Sequence, residues 1–139
     1  MNRKILFRGK DTDTNEWVYG YFVKAEWYES ERQYALMVPL DVTLYPRGEI
    51  SALAFVKPET VGQWTGMTDE NGVKIFEGDI IDCPRWVVTY AGDKPDDYQM
   101  ECGWYIQRDG FESWDNLVRG EKYKVLGNIW DNPELLTRV

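Results

Sequence analysis

Residues 62–81 read GQWTGMTDENGVKIFEGDII, and they leave the chain few ways to fold. Four glycines and four acidic residues fall within twenty positions and cut the apolar runs too short for a helix of ordinary length. Asn71-Gly72, between VGQWTGMTD and VKIFEGD, is a strong hairpin signal; a type I′ turn there requires positive φ at both central residues. Asp69 can hydrogen-bond within its own turn. Gly78-Asp79 reads as a second reversal leading into the apolar pair Ile80-Ile81. The stretch predicts tight antiparallel turns, with its acids placed where water reaches them.

Two chemical readings of the same residues fail on spacing. If Gly72 were position 6 of an EF-hand loop, Asp69 and Asn71 would fit positions 3 and 5. Position 1 would then be Met67 and position 12 Gly78, so both anchoring ligands are missing. No Gly-x4-Gly-Lys-Ser/Thr run occurs, and Gly62 and Gly66 begin no GxGxxG, which removes phosphate-loop chemistry.

The rest of the chain continues the pattern of short strands and turns. RKILFR (3–8) and EWVYGYFV (16–23) flank the turn-rich GKDTDTN and read as a hairpin. In the second, Trp17, Tyr19, Tyr21 and Val23 share one face, and Val18 and Phe22 the other. QYALMVPL (33–40) is the most apolar part of a middle section interrupted by Pro39, Pro46 and Gly48. From residue 60, TVGQW, KIFEGDIID, PRWVVTYA, ECGWYIQ and EKYKVLGNIW are strand candidates spaced as in a small barrel or sandwich. AGDKPDDYQ reads as an exposed loop carrying Asp93, Asp96 and Asp97. ESWDNLVRG (112–120) predicts a turn or two of helix ended by Gly120. DNPELL predicts a short helix with Asn132 as N-cap, Pro133 at the first helical position and Glu134 in the first turn.

Composition agrees with a mainly β chain: 139 residues, seven Trp, nine Tyr and five Phe, enough for one compact unit with a real core. Histidine is absent, which removes Ser-His-Asp and Cys-His nucleophiles and histidine-ligated metals. Cys83 and Cys102 alone do not make a structural zinc site, and the expectation is two reduced, partly buried thiols and no metal or cofactor. No run of eighteen apolar residues spans a membrane, and Ile5-Leu6-Phe7 is too short for a signal peptide, so a cytoplasmic location is expected.

Charge is uneven. Residues 1–60 carry eight basic and nine acidic groups, residues 61–139 eight and fifteen, within a net charge of −8. An acidic half repels nucleic-acid phosphates and suits a solvated surface, a basic protein partner or an imitation of nucleic acid.

The stretch 61–81 also resembles the signature of the YopX family, small proteins encoded largely by phages and prophages. Gly62, Gln63, Trp64, Thr65 and Gly66 match its VGQ-aromatic-TG block. Asn71, Gly72, Ile75, Phe76, Glu77, Gly78, Asp79 and Ile80 match its NG and I-aromatic-EGDI block. ILFRGKDTDTNEWVYGYFV (5–23) is similar to the family's opening and VLGNIWDNPELL (125–136) to its close, whereas 25–55 and 92–101 carry no match. The resemblance implies an N-terminal β region, placed at 1–58, and a C-terminal SH3-like β-barrel at 59–139, packed together as one unit. It carries over no catalytic residue, activity or cofactor.

Four functional classes remain. The favoured one is a non-enzymatic module binding a protein partner. Its candidate contacts are Trp86 and Tyr90, on one face of 86–90 with Val88 between them, and Trp104, opposite them beside Ile106. A nucleic-acid-binding role would use the basic patch Arg3, Lys4, Arg8 and Lys10, strengthened if Lys24 or Lys57 lay close. On a strand Lys4 and Arg8 share a face that Arg3 does not, and Gly9 would start a turn carrying Lys10 away. An acidic nucleic-acid mimic is the third. An enzyme would rest on Glu77, Asp79 and Asp82, of which Glu77 and Asp79 would share a strand face. A sheet edge free to pair would also allow a homo-oligomer.

Overall fold

The computed structural model describes residues 4–26, 33–40, 45–47, 53–82, 85–91 and 102–137. Arg3, Cys83 and the loop holding Asp93, Asp96 and Asp97 lie outside the described residues. The chain forms two compact units, Met1–Trp64 and Thr65–Val139.

In the first unit, β1 (Phe7–Lys10), β2 (Trp17–Glu26), β3 (Gln33–Pro39) and β4 (Ala54–Phe55) lie antiparallel in the order β4-β3-β2-β1. The first half of β5 (Gly62–Thr68) extends that sheet beyond β1, through Arg8↔Gly62 and Phe7↔Gln63. The expected hairpin is β1–β2, and the expected strand at 33–40 is β3. β1 nevertheless starts later than the apolar run suggests and continues through Gly9 and Lys10, which pair with Val18 and Trp17. Glycine suits that position because a Cβ on Gly9 would press on Val56 and Val61 at 3.1–3.3 Å. The reversal begins instead at Asp11, whose Oδ1 accepts the N–H groups of Asp13 (2.8 Å) and Thr14 (3.1 Å), while Asn15 takes φ 61°. Ala35, Met37 and Val56 form the buried centre, with Phe7, Val18, Phe22, Ala54 and Val61 packed around it.

The second unit continues β5 into β6 (Lys74–Phe76), then β7 (Asp79–Ile81), β8 (Trp86–Tyr90), β9 (Trp104–Arg108), β10 (Ser113–Asn116) and β11 (Val125–Asn128). β6 lies beside β5 at the end of the first sheet, and β7 to β11 form a second sheet in the order β10-β9-β8-β7-β11, a meander whose last strand returns to the free flank of its first. Both sheets of the molecule are antiparallel, and among the described residues neither closes into a barrel. Ile75, Ile81, Val88, Ile106 and Tyr123 form the core, flanked by Met67, Trp86, Trp104, Leu117 and Val125. Among the described residues no helix is long and apolar enough to cross a membrane.

Two local expectations need correction. Residues 113–116 form a strand, not a helix: all four are exposed, so no apolar period sets their structure, and pairing with β9 decides it. Trp114 there meets Tyr105 edge-on at 5.5 Å. At 69–73 the turn is not type I′, because Asn71 is not among the positive-φ residues. Gly72 N–H donates to the Asp69 carbonyl (3.0 Å), and Asp69 N–H to that of Val73 (2.8 Å), which leaves Gly72 alone at φ 80°. This is the longer hairpin loop in which a left-handed glycine closes an ordinary turn. The short helix expected at DNPELL is present as a 3-10 turn, Pro133–Leu136, with Glu134 in its first turn and Asn132 at its cap position, though without a capping bond. Asn132 Oδ1 instead accepts the Asn128 N–H at 3.2 Å.

Candidate interaction surface

The first unit places more apolar surface on its sheet than one core can cover. Val18 and Phe22 turn inward from β2, and the alternate residues Tyr19, Tyr21 and Val23 therefore lie on the other face. Register sets Tyr21 opposite Val38 and Val23 opposite Leu36, and Leu36 opposite Phe55. Tyr34 joins them, meeting Phe55 edge-on at 5.6 Å. Tyr19, Tyr21, Val23 and Phe55 are 44–50% exposed. Gly20 lies between the two tyrosines, where a Cβ would run into the Val38 carbonyl oxygen, so glycine keeps β2 and β3 tightly apposed beneath this face. The sequence showed the alternation but not which of two apolar faces is covered. Its useful signal was that both faces of 17–23 are apolar.

The basic patch is placed differently from expectation. Arg8 and Lys10 project on the same face as Trp17 and Tyr19, their register partners, and both are buried. The Arg8 guanidinium lies 4.4 Å from the Trp17 ring centroid and the Lys10 ammonium 5.3 Å. Cation–π contact thus gathers two of the four basic side chains onto one indole. Lys4 precedes β1 and is exposed. Lys57 reaches the other end of the β1–β2 turn, where its Nζ donates to Asn15 Oδ1 at 2.7 Å.

Trp86, Tyr90 and Trp104 do share a face: Tyr90 pairs with Trp104 and Val88 with Ile106. Trp86 and Trp104 pack against the core of the second unit, while Tyr90 is exposed with its ring 5.2 Å from that of Trp104.

Asp69, Asp79 and Asp82 each accept backbone N–H groups. Asp79, 2% exposed, takes the Phe76 N–H on Oδ2 at 2.8 Å. Glu77 lies in the β6–β7 turn with Gly78 at φ 90°, so it shares no strand face with Asp79. Asp82 is exposed, and its Oδ1 accepts the Lys124 N–H at 2.8 Å. Asp69 is buried, contrary to the water-facing position expected. Its Oδ1 accepts from Asn71 (2.8 Å) and Val73 (2.9 Å), and its Oδ2 from Val125 (3.0 Å). Desolvation is the largest single influence on its carboxyl and pushes the pKa up. The three N–H donors, joined by the Lys124 charge, outweigh that and hold it below the ordinary carboxylate value. Among the described residues no group of acidic or sulfur side chains is gathered to hold a metal ion. Cys102 is exposed rather than partly buried.

The C-terminal block is equally structural. Asn128, buried, accepts the N–H groups of Trp130 (3.0 Å) and Asp131 (2.9 Å) on Oδ1 and donates Nδ2 to Asp131 Oδ2 at 3.1 Å. The residues that carry the family signature thus fall in strands, in the core and in the turns between them. A search of curated proteins finds no match. Among solved structures, protein EF1440 from Enterococcus faecalis is similar at 26% identity, over 96% of this chain and 99% of that one, with a TM-score of 0.44. The family model described as YopX protein matches residues 6–137, and the chain belongs to the YopX family.

Proposed function

We propose that this chain is a non-catalytic interaction module that receives a protein partner on the outer face of β2–β3–β4. The observation that carries the reading is the contiguous exposure of Tyr19, Tyr21, Val23 and Phe55 over half-buried Leu36 and Val38. Tyrosine-rich apolar faces of this kind gain affinity by desolvating large, stiff side chains at low entropic cost. A net charge of −8 favours a partner whose surface around that contact is basic. Tyr90, exposed beside Trp104, offers a second, smaller contact. The SH3-like reading of the second unit belongs with this proposal. It is supported by five short antiparallel strands in which β11 returns to β7. The phage or prophage setting implied by the resemblance belongs with it as well.

The test is capture from bacterial lysate, with and without nuclease and at two salt concentrations, by the natural chain and by a Tyr21→Ser, Phe55→Ser variant. A protein retained through nuclease treatment and lost with the variant supports the module. Capture unaffected by both substitutions overturns the assigned face. Recovery of nucleic acid that disappears with salt would favour nucleic-acid binding. A DNA-processing enzyme held through the acidic half, and indifferent to the variant, would favour mimicry.

A further inference from the structure

The end of a sheet is where a β protein can take up another strand, and among the described residues three of the four ends engage backbone groups with the chain itself. At β4 the Phe55 carbonyl accepts the Thr12 N–H (2.9 Å), and at β6 the Phe76 N–H donates to Asp79 (2.8 Å). At β11 the Val125 N–H donates to Asp69 Oδ2 (3.0 Å) and the Asn128 N–H to Asn132 Oδ1 (3.2 Å). The fourth end is β10, whose residues are all exposed.

The register decides which backbone groups β10 turns outward. Leu117 N–H donates to the Trp104 carbonyl at 3.2 Å, so the pairs in step with it, Asp115–Ile106 and Ser113–Arg108, are the ones that bond across β9–β10. The other side of β9 agrees: Ala91 N–H donates to the Gly103 carbonyl at 3.0 Å, which turns the backbone of Tyr105 and Gln107 toward β8. Trp114 and Asn116 therefore point their N–H and C=O groups away from the sheet. The Asp115 carboxylate covers one of these donors, its Oδ1 accepting the Asn116 N–H at 2.8 Å. Among the described residues nothing engages the outward N–H and C=O of Trp114, whose ring is 43% exposed with Tyr105 edge-on to it. The surroundings are acidic: Asp109, Glu112 and Asp115 are exposed, against half-buried Arg108.

We infer that β10 takes up an extended segment of a partner protein as an added antiparallel strand, with an apolar residue opposite Trp114 and a basic residue opposite Asp115. The segment's main chain completes the open pair at Trp114, N–H to C=O and C=O to N–H. Directly opposed residues share a face, so the apolar side chain lies against the indole. Its neighbour in the segment points to the other face and meets the Asp115 carboxylate. The site is independent of the β2–β3–β4 face.

The test follows backbone N–H resonances of the full chain by NMR during titration. The probes are a capped hexapeptide alternating valine and lysine, its valine–glutamate counterpart, and the first peptide N-methylated at each valine. The expected result is a saturable shift at Trp114 and Asn116 with the valine–lysine peptide, with a dissociation constant at or below about 1 mM. The acidic and N-methylated peptides should bind about tenfold more weakly or not at all. Asp115→Asn should weaken the valine–lysine peptide roughly two- to fivefold. Trp114→Pro, which removes an outward N–H and no bond to β9, should abolish binding, whereas Trp114→Ala keeps that N–H and should only weaken it. The Tyr21→Ser, Phe55→Ser variant should bind unchanged, which separates this site from the face proposed above. No saturable shift, equal binding of the acidic or N-methylated peptide, shifts confined to β2–β3–β4, or full binding by a folded Trp114→Pro chain would each overturn the inference. Shifts at Trp114 that grow with protein concentration alone would assign the edge to a second copy and overturn it as well.

Discussion

The two units use similar strands for different ends. In the second, the side chains of Asp69, Asp79, Asp82 and Asn128 each take backbone N–H groups where the chain turns or a strand ends. In the first, Asp11 does the same at the β1–β2 turn, but the sheet then carries aromatic and aliphatic side chains on both faces. Strands with a second apolar face are under-used by one core. The difference teaches that acids and glycines at turns fix the second unit, while the exposed apolar face of the first rests on strand alternation alone.

This contrast can be broken by substitution. The largest effect is expected at Ile81, fully buried at the centre of the second core. Ile81→Ala should cost about 2–5 kcal/mol in denaturant unfolding; a cost under 1 kcal/mol, roughly that of losing a single methylene, would mean this core is not what holds the unit. Asp69→Ala should follow at roughly 2–3 kcal/mol, since three N–H donors lose a charged acceptor. Gly72→Val should cost about 1–3 kcal/mol because a β-branched residue is forced to φ 80°. Tyr21→Ser should sit at the bottom, within roughly 0.5 kcal/mol, as an exposed side chain outside the core. If Tyr21→Ser destabilises as much as Gly72→Val, the outer face is structural and the proposed partner site is lost.

Acid titration sharpens the same comparison. The folded-state pKa of Asp69 lies below its ordinary 3.8, so its ionised form stabilises the fold above that pH. That contribution is lost as pH falls from about 4 through the folded pKa. The Tm of the natural chain should therefore drop more steeply below pH 4 than that of Asp69→Asn. Parallel curves would mean that the carboxylate charge contributes nothing beyond its geometry.

Much of the fold was legible because alternation and turn chemistry are local. The β1–β2 hairpin, the strand at 33–39, the reversals at 69–73 and 77–78, and the shared face of Trp86, Val88 and Tyr90 all follow from neighbouring residues. What failed depended on distant partners. Ser113–Asn116 is a strand only because Tyr105–Arg108 is beside it. Asp69 and Asp79 look solvated by composition, and their burial is made tolerable by N–H donors that sequence cannot place. Arg8 and Lys10 read as parted by a turn at Gly9, yet Trp17 draws both charges onto its ring. The candidate partner face was half legible: the alternation of Tyr19, Tyr21 and Val23 was plain, but Leu36, Val38 and Phe55 join it only through register.

The single carboxylate of Asp69 also orders events in time. Its Oδ1 engages Asn71 and Val73 as soon as the local turn forms, whereas its Oδ2 must wait for Val125, 56 residues later in the chain. A nascent chain emerging N-terminus first can therefore close this loop early but cannot latch it. Closure of the latch is a long-range step of the kind that slows folding. Synthesis arrested before residue 125 would leave the hairpin intact and half of its acceptor still facing water.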